Sequence, residues 1–209
     1  MLVDLTVKEF LNKLAGDDPV PGGGSVAALN GALASALASM VANLTIGKKG
    51  YETHEELMRH IAEVALEQKN AFVEDVDHDS EAYNKVFACF KMPKATDEEK
   101  AVRSAAIQEA TKNAALVPMQ VARNAYRLMP LIMDVARLGN RNAITDACVA
   151  IMSARSAVLG ALMNVRINLG SLKDKEFVPA LQEEADELER LVHAKERELL
   201  NEINQELKL

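Results

Sequence analysis

Pro19-Val-Pro-Gly-Gly-Gly-Ser25 runs into Val26-Ala-Ala-Leu-Asn-Gly-Ala-Leu-Ala-Ser-Ala-Leu-Ala-Ser-Met-Val-Ala-Asn-Leu-Thr-Ile-Gly47, and this stretch decides the fold. Pro21 and the glycines Gly22, Gly23 and Gly24 form a loop with few side chains, so its backbone can press against another surface. Ser25 stands where an N-cap residue would satisfy the first free amides of a helix. About six turns follow without a charged residue, built from Ala, Ser, Gly and Leu. Small side chains let neighbouring helices, or a flat ligand, approach the backbone closely, so this helix belongs in the middle of a bundle.

Other readings of the stretch fare worse. A phosphate-cradling loop needs Gly-Lys-Ser/Thr, and here Gly24-Ser25-Val26 follows. A membrane span fits the length, but Asn30, Ser35, Ser39 and Asn43 interrupt it and no second span accompanies it. Ser35, Ser39 and Asn43 recur every four residues and make one polar stripe, which either packs against a neighbour or lines a site.

Outward from this helix the chain reads as a single all-α domain over residues 1–209, a multihelical bundle of about seven helices with long, small-residue central helices. Hydrophobic residues make up 49% of the chain and aromatics only 4%, which predicts an aliphatic, Ala-rich core. Capping boxes are expected at Thr6/Glu9, Thr53/Glu56 and Thr96/Glu99, each opening a helix. The helix after Thr96 is expected to reach Leu128 with Pro118 inside it, and Pro130 to begin a shorter one ending at Gly139. Ala143 to Val165 repeats the small-residue character, with Asp146 and Arg155 its only charges. Asp174 caps the last helix, whose stripe from Phe177 to Leu207 opposes a dense charged face suited to packing on the bundle or on a second subunit.

The net charge of −7 is concentrated in residues 173–209, with eleven acidic against six basic side chains. Nucleic acid is therefore not the expected partner. Cys89 and Cys148 lack metal or disulfide spacing and are expected as small buried residues, and the four histidines lack zinc-ligand spacing, so no metal site is expected. Met1-Leu-Val-Asp-Leu-Thr has no basic region followed by an apolar run, so no secretory signal is read and a cytoplasmic protein is expected.

One acid breaks the pattern. Phe72, Val76, Tyr83, Val86, Phe87 and Phe90 follow a three-or-four spacing, and the core-facing position between Val76 and Tyr83 is Asp79. Asp77 and Glu81 point away from it, while Asp75 lies one turn before. A buried carboxylate either joins a structural hydrogen-bond network or has its pKa raised toward use as a general acid or base.

Pro21-Gly-Gly-Gly-Ser-Val-Ala-Ala28, the small-residue helix closing on Met40-Val-x-x-Leu-Thr-x-Gly47 and the pair Lys48-Lys49, the acidic segment Asp77-His-Asp79-Ser-Glu81-Ala-Tyr83, and Asn164-Val-x-Ile-Asn168 together resemble the formiminotransferase-cyclodeaminase family. Its stand-alone relatives act as methenyltetrahydrofolate cyclohydrolases. The resemblance implies conversion of 5-formiminotetrahydrofolate to 5,10-methenyltetrahydrofolate and ammonia, with the cyclohydrolase as the alternative, and a non-catalytic helical scaffold as the alternative of another class. It places the catalytic acid on Asp79. Substrate contacts are then expected from Pro21, Gly22, Gly23, Gly24, Ser25, Ser39, Asn43, Tyr83, Asp146 and Asn164, with Lys48 and Lys49 meeting the carboxylates of a glutamate tail, polyglutamylated or not. No prosthetic group is implied beyond the tetrahydrofolate substrate. A homodimer is expected, and a separate formiminotransferase partner is left open. Many relatives carry an acid where this chain has Arg155.

Overall fold

The computed structural model describes residues 1–207, so positions 208 and 209 of the expected domain lie outside it. Among the described residues there are six α-helices and no strand: α1 (Val7–Leu14), α2 (Gly23–Asn43), α3 (Glu55–Phe90), α4 (Asp97–Leu138), α5 (Ile144–Leu169) and α6 (Phe177–Leu207). The capping boxes at Thr6/Glu9 and Thr96/Glu99 form as expected, and the Asp174 carboxylate accepts from the Phe177 amide to start α6. The box at Thr53 does not form. A short 3-10 turn at Glu52–His54 leads directly into α3, and the Glu52 carboxylate turns back to the Gly50 amide instead.

Six helices replace the expected seven because α4 runs unbroken through both Pro118 and Pro130. Each proline removes one backbone hydrogen bond. Pro118 is buried and Pro130 exposed, and the packing of Met119, Leu128, Met129, Ile132 and Met133 around them holds the helix together.

α2 and α5 are the central pair, antiparallel, with α3, α4 and α6 packed around them. Close approach is what their small residues supply: Ala27, Ala28, Ala34, Ala38 and Ala42 on α2 and Ala147, Ala150, Ala154, Ala157 and Ala161 on α5 are all buried. A Cβ on Gly160 would stand 3.3 Å from that of Ala27. α2 and α3 are antiparallel as well, with Gly24 against Asp79, Gly31 against Phe72, and the Ser39 hydroxyl donating to the Ala62 carbonyl at 3.1 Å. A Cβ on Gly31 would lie 2.7 Å from the fully buried Phe72 ring. Gly31→Ala should therefore destabilise the protein by about 1–3 kcal/mol, read as a lower urea midpoint with an unchanged slope.

Both central helices are long and apolar enough to cross a membrane, each with mean hydropathy 1.6, which corrects the expectation that only the first has this character. Here they form the interior of the bundle. Each also leaves an apolar stripe uncovered: Leu33 and Met40 on α2 with Leu44 just past its end, and Val149, Met152, Met163 and Ile167 on α5.

The acid-rich α6 is held down by arginines. Arg123 of α4 makes two 2.6 Å bonds to Glu184, Arg137 reaches Glu198 and Glu202, and Arg166 of α5 reaches Asp186 and Glu189. Arg155 belongs to this set, its Nε 2.8 Å from Glu196 at an angle too oblique for a hydrogen bond. Cys89 and Cys148 are only partly buried.

Candidate functional site

At the end of the bundle where α2 begins and α5 ends, a cavity of about 340 Å³ opens beside Asp79. Its floor is the Gly22-Gly23-Gly24 backbone, its sides are Ala82, Tyr83 and Val86 of α3 with Ala114 of α4, and Asn164, Ile167 and Asn168 of α5 close it. α2 starts at Gly23 with Gly22 as its cap, so the glycine loop becomes the first helical turn. Free amides and the positive end of the helix dipole face the cavity there.

Ser25 is therefore not the N-cap. It lies inside the first turn, fully buried, and its hydroxyl donates to the Val76 carbonyl at 2.9 Å and to Asp79 Oδ2 at 3.3 Å. It holds the acid without lining the cavity. Gly24 sets the same geometry by absence: a Cβ there would stand 1.9 Å from Asp79 Oδ1.

Burial pushes the Asp79 carboxyl above the ordinary aspartate value, while the hydroxyl and backbone amide of Ser25 pull it back more weakly. The folded protein thus favours the protonated acid more than the unfolded chain does. Asp75, one turn earlier, is also raised by burial, offset by its bond to His78, but it faces a different groove beside Asn113 and Gln120.

The two asparagines differ in what they leave free. Asn164 Nδ2 donates to the Gly160 carbonyl at 2.9 Å, and Asn168 Nδ2 to the carbonyls of Ala114 and Asn164. Both N–H groups of Asn168 are then used and its Oδ1 remains, whereas Asn164 keeps its Oδ1 and one N–H.

Of the residues expected from the sequence, Asp79, Gly22, Gly23, Gly24, Tyr83 and Asn164 line one cavity, and Ser25 stands directly behind it. Pro21 is buried next to the floor, after a cis bond from Val20, and is not among the lining residues. The others lie elsewhere in the chain. Ser39 and Asn43 bond each other at 3.3 Å, and Ser39 packs on α3. Lys48, Lys49 and Asp146 sit at the opposite end of the central pair, a helix length of about 30 Å away. Asn168, Ile167, Ala114, Ala82, Val86, Pro19 and Val20 also line it and were not expected there: Asn168 lies one turn beyond Asn164 within the Asn164-Val-x-Ile-Asn168 motif, and Ala114 carries no chemical signal. The aromatic stripe also departs from expectation. Beyond Val76 it leaves the core, and Tyr83, Phe87 and Phe90 are exposed where α3 overhangs the start of α2.

Residues 6–187 match the profile of the formiminotransferase-cyclodeaminase family. Methenyltetrahydrofolate cyclohydrolase of Methylorubrum extorquens is 41% identical over 90% of this chain and 88% of its own length. Formimidoyltransferase-cyclodeaminase of Rattus norvegicus is 34% identical over 84% of this chain, which spans 32% of that longer protein. The crystal structure of formiminotetrahydrofolate cyclodeaminase from Thermotoga maritima matches with a TM-score of 0.85 and 33% identity, covering 97% of this chain and 99% of that one. The matched span contains the residues that line the Asp79 cavity, and the chain belongs to the formiminotransferase-cyclodeaminase family.

Proposed function

We propose that the chain is a formiminotetrahydrofolate cyclodeaminase, in which Asp79 protonates the departing amine. The observation that carries this reading is a half-buried carboxyl, raised above its ordinary pKa, on the wall of a narrow cavity. N10 of 5-formiminotetrahydrofolate attacks the formimino carbon, ammonia leaves and the 5,10-methenyl bridge remains. The carbon must be held near N10, and a proton must reach the leaving nitrogen. A flat pterin fits between Tyr83 and the glycine floor, and the Oδ1 atoms of Asn164 and Asn168 suit its N–H groups. The same carboxyl, ionised, would draw a proton from water attacking the methenyl carbon, and the 41% identity to a cyclohydrolase favours this second reading.

Two assays on the purified protein separate them. Given 5-formiminotetrahydrofolate, a cyclodeaminase releases ammonia as methenyl absorbance appears. Given 5,10-methenyltetrahydrofolate alone, a cyclohydrolase removes that absorbance. No change in either assay would sink both readings and leave a helical scaffold.

The cavity lining holds no cation, and Lys48 and Lys49 lie too far away to meet a ligand's carboxylates within one chain. The uncovered stripes on α2 and α5 support a homodimer, and an antiparallel pairing of those stripes would bring the two lysines in from a second copy. Leu33, half-exposed on the α2 stripe, tests this. Wild type should sediment at twice the monomer mass at micromolar concentration and Leu33→Glu at the monomer mass; a monomeric wild type would contradict the dimer. A separate formiminotransferase remains part of the proposal as the source of the formimino substrate.

A further inference from the structure

A second cavity, of about 470 Å³, lies on the other side of the glycine loop. Val20 borders both cavities, so the loop is the wall between them. The outer one is open and mixed in character: Lys13, Asp77, Ser80, Glu81 and Asn84 share its lining with Met1, Leu2, Leu5 and Val20. Nothing in the reaction described above uses it.

The two cavities are connected by hydroxyls. Asp79 Oδ2 is 3.3 Å from Ser25 Oγ, and Ser25 Oγ is 3.2 Å from Ser80 Oγ. Ser25 is fully buried and Ser80 nearly so, yet Ser80 borders the outer cavity. Beyond it stands Asp77, whose Oδ1 accepts from the Leu2 amide at 2.7 Å while Oδ2 is buried without a partner. The line runs from the Asp79 carboxyl, through two hydroxyls, to an open chamber with a free acceptor.

We propose that Ser25 and Ser80 form a proton relay that exchanges the Asp79 proton with solvent through the outer cavity while folate fills the inner one. The inference rests on the functional reading above. Neutral 5-formiminotetrahydrofolate yields a cationic methenyl product and neutral ammonia, so one proton must enter per turnover. Asp79 gives its proton to the departing nitrogen, and the bound ligand covers the inner face of the carboxylate. The Ser25 hydroxyl proton then passes to Asp79 Oδ2, the Ser80 proton passes to Ser25, and Ser80 takes one from water in the outer cavity, the hydroxide left there being reprotonated from bulk solvent. No atom is lost and each hydroxyl ends as it began. In the cyclohydrolase direction one proton leaves, and the same steps run in reverse. Ser25 can also donate to the Val76 carbonyl at 2.9 Å, which gives its hydroxyl a resting orientation between transfers.

The charged groups facing this line are few. Asp77 and Glu81 on α3, Lys13 on α1 and Met1, whose amine pairs with Asp4 at 3.1 Å, border its outer end; α2, α4 and α5 bring only Gly23, Gly24, Ala114, Asn164, Ile167 and Asn168 to its inner end. Ser25 and Ser80 act through Asp79 and are positioning residues, not groups that touch the ligand.

Ser80→Ala tests the relay, because alanine is at home in the middle of α3 and circular dichroism can verify the fold. The expected result, with whichever of the two folates wild type turns over, is a fall in kcat of tenfold or more with KM within twofold. The ionisation seen in the pH profile should stay in place, since the Ser25 contact to Asp79 is intact, and Ser80→Thr should restore most of the rate. A Ser80→Ala enzyme with wild-type kcat overturns the relay and leaves the functional reading standing. A drop accompanied by a displaced pH profile and no rescue by threonine also overturns it, in favour of a packing role. A wild type inert toward both folates removes the functional reading and the relay with it.

Discussion

Asp79→Asn should leave the bundle folded and reduce folate turnover by about 10²–10⁴-fold, the range that loss of a positioned general acid or base produces. Asparagine keeps the shape and can still accept from Ser25 Oγ, so the cavity should continue to bind folate. Stability should move the other way. The folded-state pKa of Asp79 lies above that of the unfolded chain, so the folded protein keeps this proton to higher pH than the unfolded chain does. The resulting penalty is absent in acid and appears as the pH rises past the ordinary carboxylate range. Asparagine removes it, and the melting temperature of the variant should exceed that of wild type by more at pH 7 than at pH 4. A variant that is inactive and also less stable at neutral pH would mark Asp79 as structural.

Gly24→Ala should be nearly as damaging without touching a reactive group. The new Cβ would fall 1.9 Å from Asp79 Oδ1 and 2.4 Å from its Cγ, so the carboxyl must swing away or α2 must shift from α3. A displacement near 1 Å is enough to cost about 10²-fold in rate. Gly23→Ala is the comparison. Its Cβ meets Asn164 Nδ2 at 3.4 Å, an ordinary contact, and its effect on kcat should be much smaller. Equal losses in the two variants would mean that the loop needs glycine for its backbone and not to clear the acid.

The central features of this site were legible in the sequence for a simple reason. Asp79 interrupts a helical apolar stripe, and a carboxylate at such a position has few places to go except a cavity or a buried network. Here it has both. The small-residue composition of α2 and α5 likewise announced two rods that pack closely, and the Thr6 and Thr96 boxes are local patterns that need no tertiary context. What escaped depended on contacts distant in sequence. Ser25 looks like an N-cap from its neighbours, but Val76, Asp79 and Ser80 claim its hydroxyl once α3 lies alongside. Pro130 reads as a helix start, yet the buried residues on either side carry α4 through it. Lys48 and Lys49 belong to the same family-like stretch as the glycine motif, while the straight helix between them sets them at opposite ends of the bundle. Tyr83, Phe87 and Phe90 continue the apolar period past the point where α2 begins, so α2 does not cover them and they stay exposed, with Lys91 over Phe87 and Arg103 over Phe90.

The most direct test is the titration of Asp79 itself, followed in the wild-type protein by carbon NMR of labelled aspartate carboxyls, with Asp79→Asn identifying the resonance. The account predicts a midpoint clearly above the ordinary aspartate value of 3.8, and a cyclodeaminase rate that falls with rising pH through the ionisation of the same group. A midpoint at or below the ordinary value, or a rate indifferent to that titration, would contradict it.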